Sequence, residues 1–262
     1  MKKRFLTNYS SVFFLCLLTL LSGCCINLVD VLKAKYEKVE QAAASVTGIS
    51  ELDIYSDVGS ITITGADVTD CNVTAAITVK ARTKEKAREL AEEVEIDIEP
   101  AGQTLRIKVR KPAALKSRSL VVDFRITAPK HLNLNCSTHV GAIKTSDIEG
   151  RIKASTEVGS IICNQLVTDL HLKANVGSIN VEYSDSAAAA CSADITTSVG
   201  SIEFIGPPQL SAQLDASTNV GSIKTDQPVT VVGKVGKSIK GTIGSGQGTV
   251  RLKTNVGSIQ IK

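Results

Sequence analysis

Leu252-Lys253-Thr254-Asn255-Val256-Gly257-Ser258-Ile259 stands near the end of this 262-residue chain and contains a phrase met throughout it. Val-Gly-Ser-Ile occupies 58–61, 158–161, 176–179, 199–202, 220–223 and 256–259, and Val-Gly-Ala-Ile occupies 140–143. A phrase repeated about every 20 residues marks a solenoid, in which each repeat is one turn of a coil. From Gly141 onward the glycines are spaced by 18, 18, 23, 21 and 36 residues. The last interval is twice 18, which predicts a degenerate turn in Lys234–Gly244. The longer spacings predict outward insertions at Ser184–Ala190 and Gly206–Gln209, whose Ser, Gly, Pro and Ala content suits loops.

Alignment on the glycine produces columns. Seven before it stand Leu134, Ile152, Leu170, Ala193, Leu214 and Val250; five before it stand Cys136, Ala154, Leu172, Ile195, Ala216 and Leu252. Three before it is Thr138, Thr156, Ala174, Thr197, Thr218 or Thr254, one before it is valine, and two after it is isoleucine. The columns between are polar, so apolar residues alternate as they do on strands with one buried face. The expected fold is all-β: a parallel β-solenoid (β-helix) with turns of about 18–23 residues. The expected corners are Gly59, Gly141, Gly159, Gly177, Gly200, Gly221 and Gly257, with the flanking valine and isoleucine both turned inward.

Ahead of the regular repeats, Glu51–Gly65 already fits the columns. An alternating segment Val73–Lys80 follows, then a helix over 83–93 with Thr83 as N-cap, then strands Val94–Glu99, Thr104–Val109 and Ser119–Ala128. This N-terminal β-rich portion is expected to form hairpins that cover or extend the first end of the coil. The resulting division is 48–262 as one solenoid domain, irregular over 48–130 and regular over 131–262.

The chain opens with Lys2, Lys3 and Arg4 and an apolar core Val12–Leu21, too short to span a bilayer and suited to a signal peptide, 1–23. It ends in Leu21-Ser22-Gly23-Cys24, which resembles a bacterial lipobox and makes Cys24 the expected lipidation site. Residues 24–47 would link the lipid to the fold, starting flexible and then joining the first strand or a short helix. Cys25 is not aspartate, so an outer membrane is the expected address where the host has two. Cleavage removes three basic residues and no acid, taking the formal charge from +4 to about +1. That leaves no basic field for nucleic acid.

Cys71, Cys136, Cys163 and Cys191 could pair in an exported chain, but Cys136 and Cys163 have inward parity and read better as buried thiols. The three histidines, His131, His139 and His171, read as solvated surface. Asp194 and Asp215 share an outward column on turns adjacent in sequence. A stack would bring them within about 5 Å, where two carboxylates could hold Ca²⁺ or act as acid and base. The competing reading is a surface charge ladder, because Lys153, His171 and Arg251 share the column. No cofactor is expected.

The lipobox, Ile54-Tyr-Ser-Asp-Val-Gly-Ser-Ile-Thr-Ile-Thr-Gly65, the helix-bearing insert, Phe124–Pro129 and the tandem Val-Gly-Ser-Ile turns resemble the bacterial putative-adhesin β-solenoid family over about 48–262. Many of its members are domains of unknown function. The resemblance implies a solenoid at the cell envelope and supplies no catalytic residues. The expected function is therefore a non-catalytic, lipid-anchored adhesin, scaffold or partner-binding module. Its partners would be the membrane through the lipid, and another envelope protein or a second copy through an open C-terminal edge strand, Ser258–Lys262. The alternative is a polysaccharide lyase or hydrolase; the scarcity of mature aromatics argues against it.

Overall fold

In a computed structural model, residues 34–115, 119–231 and 237–262 are described. The alternation of the sequence carries straight into burial: in β8 (Asn133–Val140) Leu134, Cys136 and Thr138 are buried and the residues between them are not. Each repeat places one strand in an eleven-stranded sheet, turns at the glycine, and places the next in a ten-stranded sheet facing it. The repeat strand pairs are β2 (Glu51–Val58) with β3 (Ile61–Ala66), β8 with β9 (Ile143–Ser146), β10 (Ile152–Val158) with β11 (Ile161–Leu166), and β12 (Leu170–Val176) with β13 (Ile179–Tyr183). They continue as β14 (Ser192–Val199) with β15 (Ile202–Ile205), β16 (Ala212–Val220) with β17 (Ile223–Thr225), and β20 (Gly248–Val256) with β21 (Ile259–Ile261). Strands of successive rungs pair in parallel with like columns opposed, as in Ile152↔Leu134 and Ala154↔Cys136. The fold is the expected two-sheet β-solenoid, filled by Ile, Leu, Val and the buried Phe124 and Phe204.

The corner has a steric cause. The seven corner glycines have φ from +138° to +153°, and a Cβ on any of them would lie 1.8–2.1 Å from a backbone carbonyl oxygen of the rung below. For six of them that oxygen belongs to the next corner glycine, so the glycines stack bare backbone on bare backbone. The threonine column closes the interior against this stack. Thr138, Thr156, Thr197, Thr254 and Thr218 donate through Oγ1 to the carbonyls of Gly59, Gly141, Gly177, Gly200 and Gly257 at 2.9–3.4 Å. The valine two residues further on stands outside this interior, at the corner of Ala174 as at those of the threonines. Val140, Val158, Val176, Val199, Val220 and Val256 are 46–58% exposed. This corrects the expectation that valine turns inward: isoleucine does, and valine forms an outer ridge.

Rung order departs from chain order at both ends. At the N-terminal end, β6 (Thr104–Arg110) and β7 (Leu120–Pro129) form a rung that lies beyond β2 and β3 and runs parallel to them. β5 (Glu95–Ala101) pairs antiparallel with β6 as an expected hairpin, whereas β4 (Asp70–Ala81) pairs antiparallel with the distant β7 and forms no hairpin with it. Helix α1 (Lys84–Glu92) starts at Thr83, whose hydroxyl accepts from the Lys86 amide at 3.2 Å. Its last turn is held by Lys38, which donates to the Ala91 and Val94 carbonyls at 3.5 and 3.4 Å. Lys38 lies on β1 (Ala34–Ser45), paired along its whole length with β4; the second half of the segment read as a linker is thus a strand.

The C-terminal end corrects two expectations. The last strands are interior: β20 lies between β14 and β16, and β21 between β15 and β17. Ser258–Lys262 is therefore no open edge. The chain reaches this slot through β18 (Val229–Val231) and β19 (Ser238–Ile243), an antiparallel pair lying outside β16. Residues 234–236 of the predicted degenerate turn fall outside the described residues. The remainder is antiparallel strand and then a crossing, Gly244-Ser-Gly-Gln-Gly248, which passes the end of β16. Gly244 and Gly246 adopt φ +57° and +72° there, and Ser211 ties the crossing down by accepting from the Gln247 amide at 3.2 Å.

Candidate functional site

Strand β20 also separates the carboxylates that the column alignment brought together. By register, Arg251 stands between Asp194 and Asp215. Asp194 instead lies 3.5 Å from His171 on β12, and Asp215 lies 3.2 Å from Lys240 on β19. The column is an exposed ladder of alternating charge, worth little individually in stability. The Ca²⁺ or acid–base pair does not form, because an arginine occupies the rung between. Among the described residues no group of three or more His, Cys, Asp or Glu side chains could hold a metal ion.

The corner glycines sit at the bends as expected, and Cys24 lies outside the described residues. The four cysteines 71, 136, 163 and 191 are buried free thiols. Burial pushes the Cys71 thiol up to about 11 and the Cys163 thiol up to about 12, so both stay protonated at neutral pH.

Histidine 139 is not merely solvated. The ordered cluster on the outward face of the eleven-stranded sheet joins it to Tyr55 on the neighbouring β2. The Tyr55 hydroxyl donates to Asp57 Oδ1 at 2.6 Å, and His139 Nδ1 lies 2.7 Å from the same phenol oxygen. Carboxylate can only accept, so the phenol proton goes to Asp57 and the phenol oxygen accepts from Nδ1–H of His139. His139 Nε2 then faces Glu157 Oε1 at 3.9 Å. Asp57 is also paired with Lys111. Burial, and after it the hydrogen bond to Asp57, pushes the Tyr55 hydroxyl up to about 12. The phenol and imidazole rings meet edge to face with centroids 5.6 Å apart.

Beside this cluster runs an open trough of about 300 Å³, at the lower end of the size of small-molecule sites. Tyr55 closes one end. Ser137 of β8 and Ser155 of β10 form the floor, His139, Glu157 and Asn175 one side, and Lys173 of β12 the far end. Ser137, Ser155, Lys173 and Asn175 make no side-chain hydrogen bond or ion pair among the described residues. The trough exists because two small serines stand in a column whose other members include Tyr55, Lys173 and Lys253. Sequence reasoning missed it because Tyr55 and His139 are 84 residues apart. The available signal was their shared frame: four before one corner glycine, two before the other.

The chain belongs to the Toastrack DUF4097 family, whose model matches residues 49–262. The structure resembles that of a "putative cell adhesion protein" from Clostridium sporogenes, with 15% identity, TM-score 0.53, and 87% of this chain and 99% of that one covered. At this identity the likeness bears on the fold alone. Weaker likenesses connect it to a "putative adhesin" from Bacteroides fragilis (13% identity, 86% and 97% covered, TM-score 0.33) and one from Parabacteroides distasonis (12%, 86% and 97%, TM-score 0.29). No curated protein matches the chain.

Proposed function

We propose that this protein is a non-catalytic, adhesin-like binding module of the bacterial cell envelope, held at the membrane by lipid on Cys24. The observation that carries the reading is the outward face of the eleven-stranded sheet. There a rigid, paired backbone presents a trough in which Ser137, Ser155, Lys173 and Asn175 have no side-chain partner among the described residues and which a fixed tyrosine ends. A surface of this kind is built for contact: its side chains lose little freedom on binding because the strands beneath them are already ordered. The Clostridium sporogenes protein that shares the fold is described as a "putative cell adhesion protein", which is in keeping with this reading. The signal-like N-terminus and its Leu-Ser-Gly-Cys supply the address. An outer membrane is the proposed location in a host with two.

Growth with an alkyne-tagged fatty acid, followed by fractionation, tests the anchor. The full chain should take up label and sediment with membranes, and Cys24→Ser should lose both properties. Unchanged partition of Cys24→Ser would overturn the anchor. Crosslinking on intact cells tests the contact. Capture of envelope material by the native chain, lost on filling the trough with Ser137→Trp, is the expected result; equal capture by both would place contact elsewhere.

A further inference from the structure

We infer that the trough between Tyr55 and Lys173 binds an acidic pyranose, a sugar ring bearing a carboxylate; this rests on the binding reading above and names its ligand class. The Tyr55 hydroxyl is already engaged by Asp57 and His139. What this residue, 40% exposed overall, offers a ligand is therefore its ring, locked in one orientation. A locked ring at the end of a polar trough suits the apolar C–H face of a pyranose. Ser137, Ser155 and Asn175 bring hydroxyl and amide groups that can both donate and accept, and Glu157 brings an acceptor. Those capacities match a ring of hydroxyl and acetamido substituents. Lys173 lies three rungs from Tyr55, about 14 Å at 4.8 Å per rung, and its long unpaired side chain can reach back along the trough toward a carboxylate on the far side of the sugar.

Two other ligand chemistries fit less well. An extended peptide would seek free backbone edges, and the floor strands β8, β10 and β12 are paired on both sides. A polyphosphate chain would meet the carboxylates of Glu157 and Asp57 along one wall. A single carboxylate at the Lys173 end avoids them.

The test is saturation-transfer NMR on the purified full-length protein. The probes are N-acetylmuramic acid for a wall source, N-acetylneuraminic acid for a host-surface source, and neutral N-acetylglucosamine. At least one acidic sugar should bind with about tenfold higher affinity than the neutral one, and which acid binds identifies the source. Tyr55→Ala should abolish transfer. Tyr55→Phe, which keeps the ring, should retain most of it. Lys173→Met should bring the acidic sugar down to the affinity of the neutral one. Circular dichroism checks that each variant is folded. No transfer from either acid, or transfer unchanged in Tyr55→Ala and Lys173→Met, would overturn the inference. Such a failure would leave the Cys24 and capture experiments untouched, so the ligand class can fall while the envelope reading stands.

Discussion

Gly257 packs its bare Cα against the carbonyl oxygen of Gly200, so closely that a Cβ would lie 1.9 Å from that oxygen. The two residues are 57 positions apart in sequence and adjacent in space, because the final turn of the chain is inserted between the turns of Gly200 and Gly221.

Gly257→Ala therefore has to shift backbone as well as accept φ +149°, and it should destabilise the fold by about 4 kcal/mol. Gly102→Ala is the matched control. Its φ is +64° with nothing within 4 Å of a new Cβ, so the cost should be only about 1 kcal/mol. Urea midpoints of both variants measure the difference; equal losses would refute the stacking argument.

The threonine ladder has one gap. Ala174 is buried in that column, and it leaves the Gly159 carbonyl without the hydroxyl partner that five other corners have. Ala174→Thr should add about 1 kcal/mol of stability, and Thr197→Val should remove about 1–2 kcal/mol. Thermal melts should move in opposite directions for the two.

Cys71, Cys136, Cys163 and Cys191 should be inert in the native state. Burial raises all four thiols, and thiolate is the reactive form. Maleimide labelling with peptide mass mapping should find them unmodified at pH 8 and modified together across the urea transition. Rapid native labelling of Cys136 would contradict the packing of its rung.

Burial and the Asp57 bond raise the Tyr55 hydroxyl from 10.0 to about 12. Native Tyr55 thus keeps its proton where the unfolded chain loses it. Its contribution to stability is complete below pH 10 and disappears as pH rises from 10 to about 12. Urea midpoints at pH 9 and 11.5 should fall further for the native chain than for Tyr55→Phe. An equal fall would place the alkaline loss elsewhere.

Local spacing made the repeat architecture legible. Alternation at Leu134, Cys136 and Thr138 identified the inner face, and Thr83 with the stripe Ala87, Leu90 and Ala91 identified the helix. The valines were misplaced because parity says which way a side chain points along a strand but not where the interior ends. The two aspartates were misplaced for a related reason: column alignment orders turns by sequence, while sheets order them by pairing. The same limit hid the tyrosine–histidine pair, whose strands are separated by the whole helix-bearing insert.

By itself, then, the sequence determined the period, the inward columns and the need for glycine at every corner, all consequences of short-range geometry repeated rung after rung. Only the tertiary structure decided which rung lies beside which. A parallel rung offers nearly the same ladder to any other, so the order is settled by long-range features. One is the crossing at Gly244–Gly248 that carries β20 past β16. The other is the insert that loops out so that Tyr55 of β2 can meet His139 of β8. The candidate site belongs to that second class: it exists in the stacking of rungs and in no single one of them.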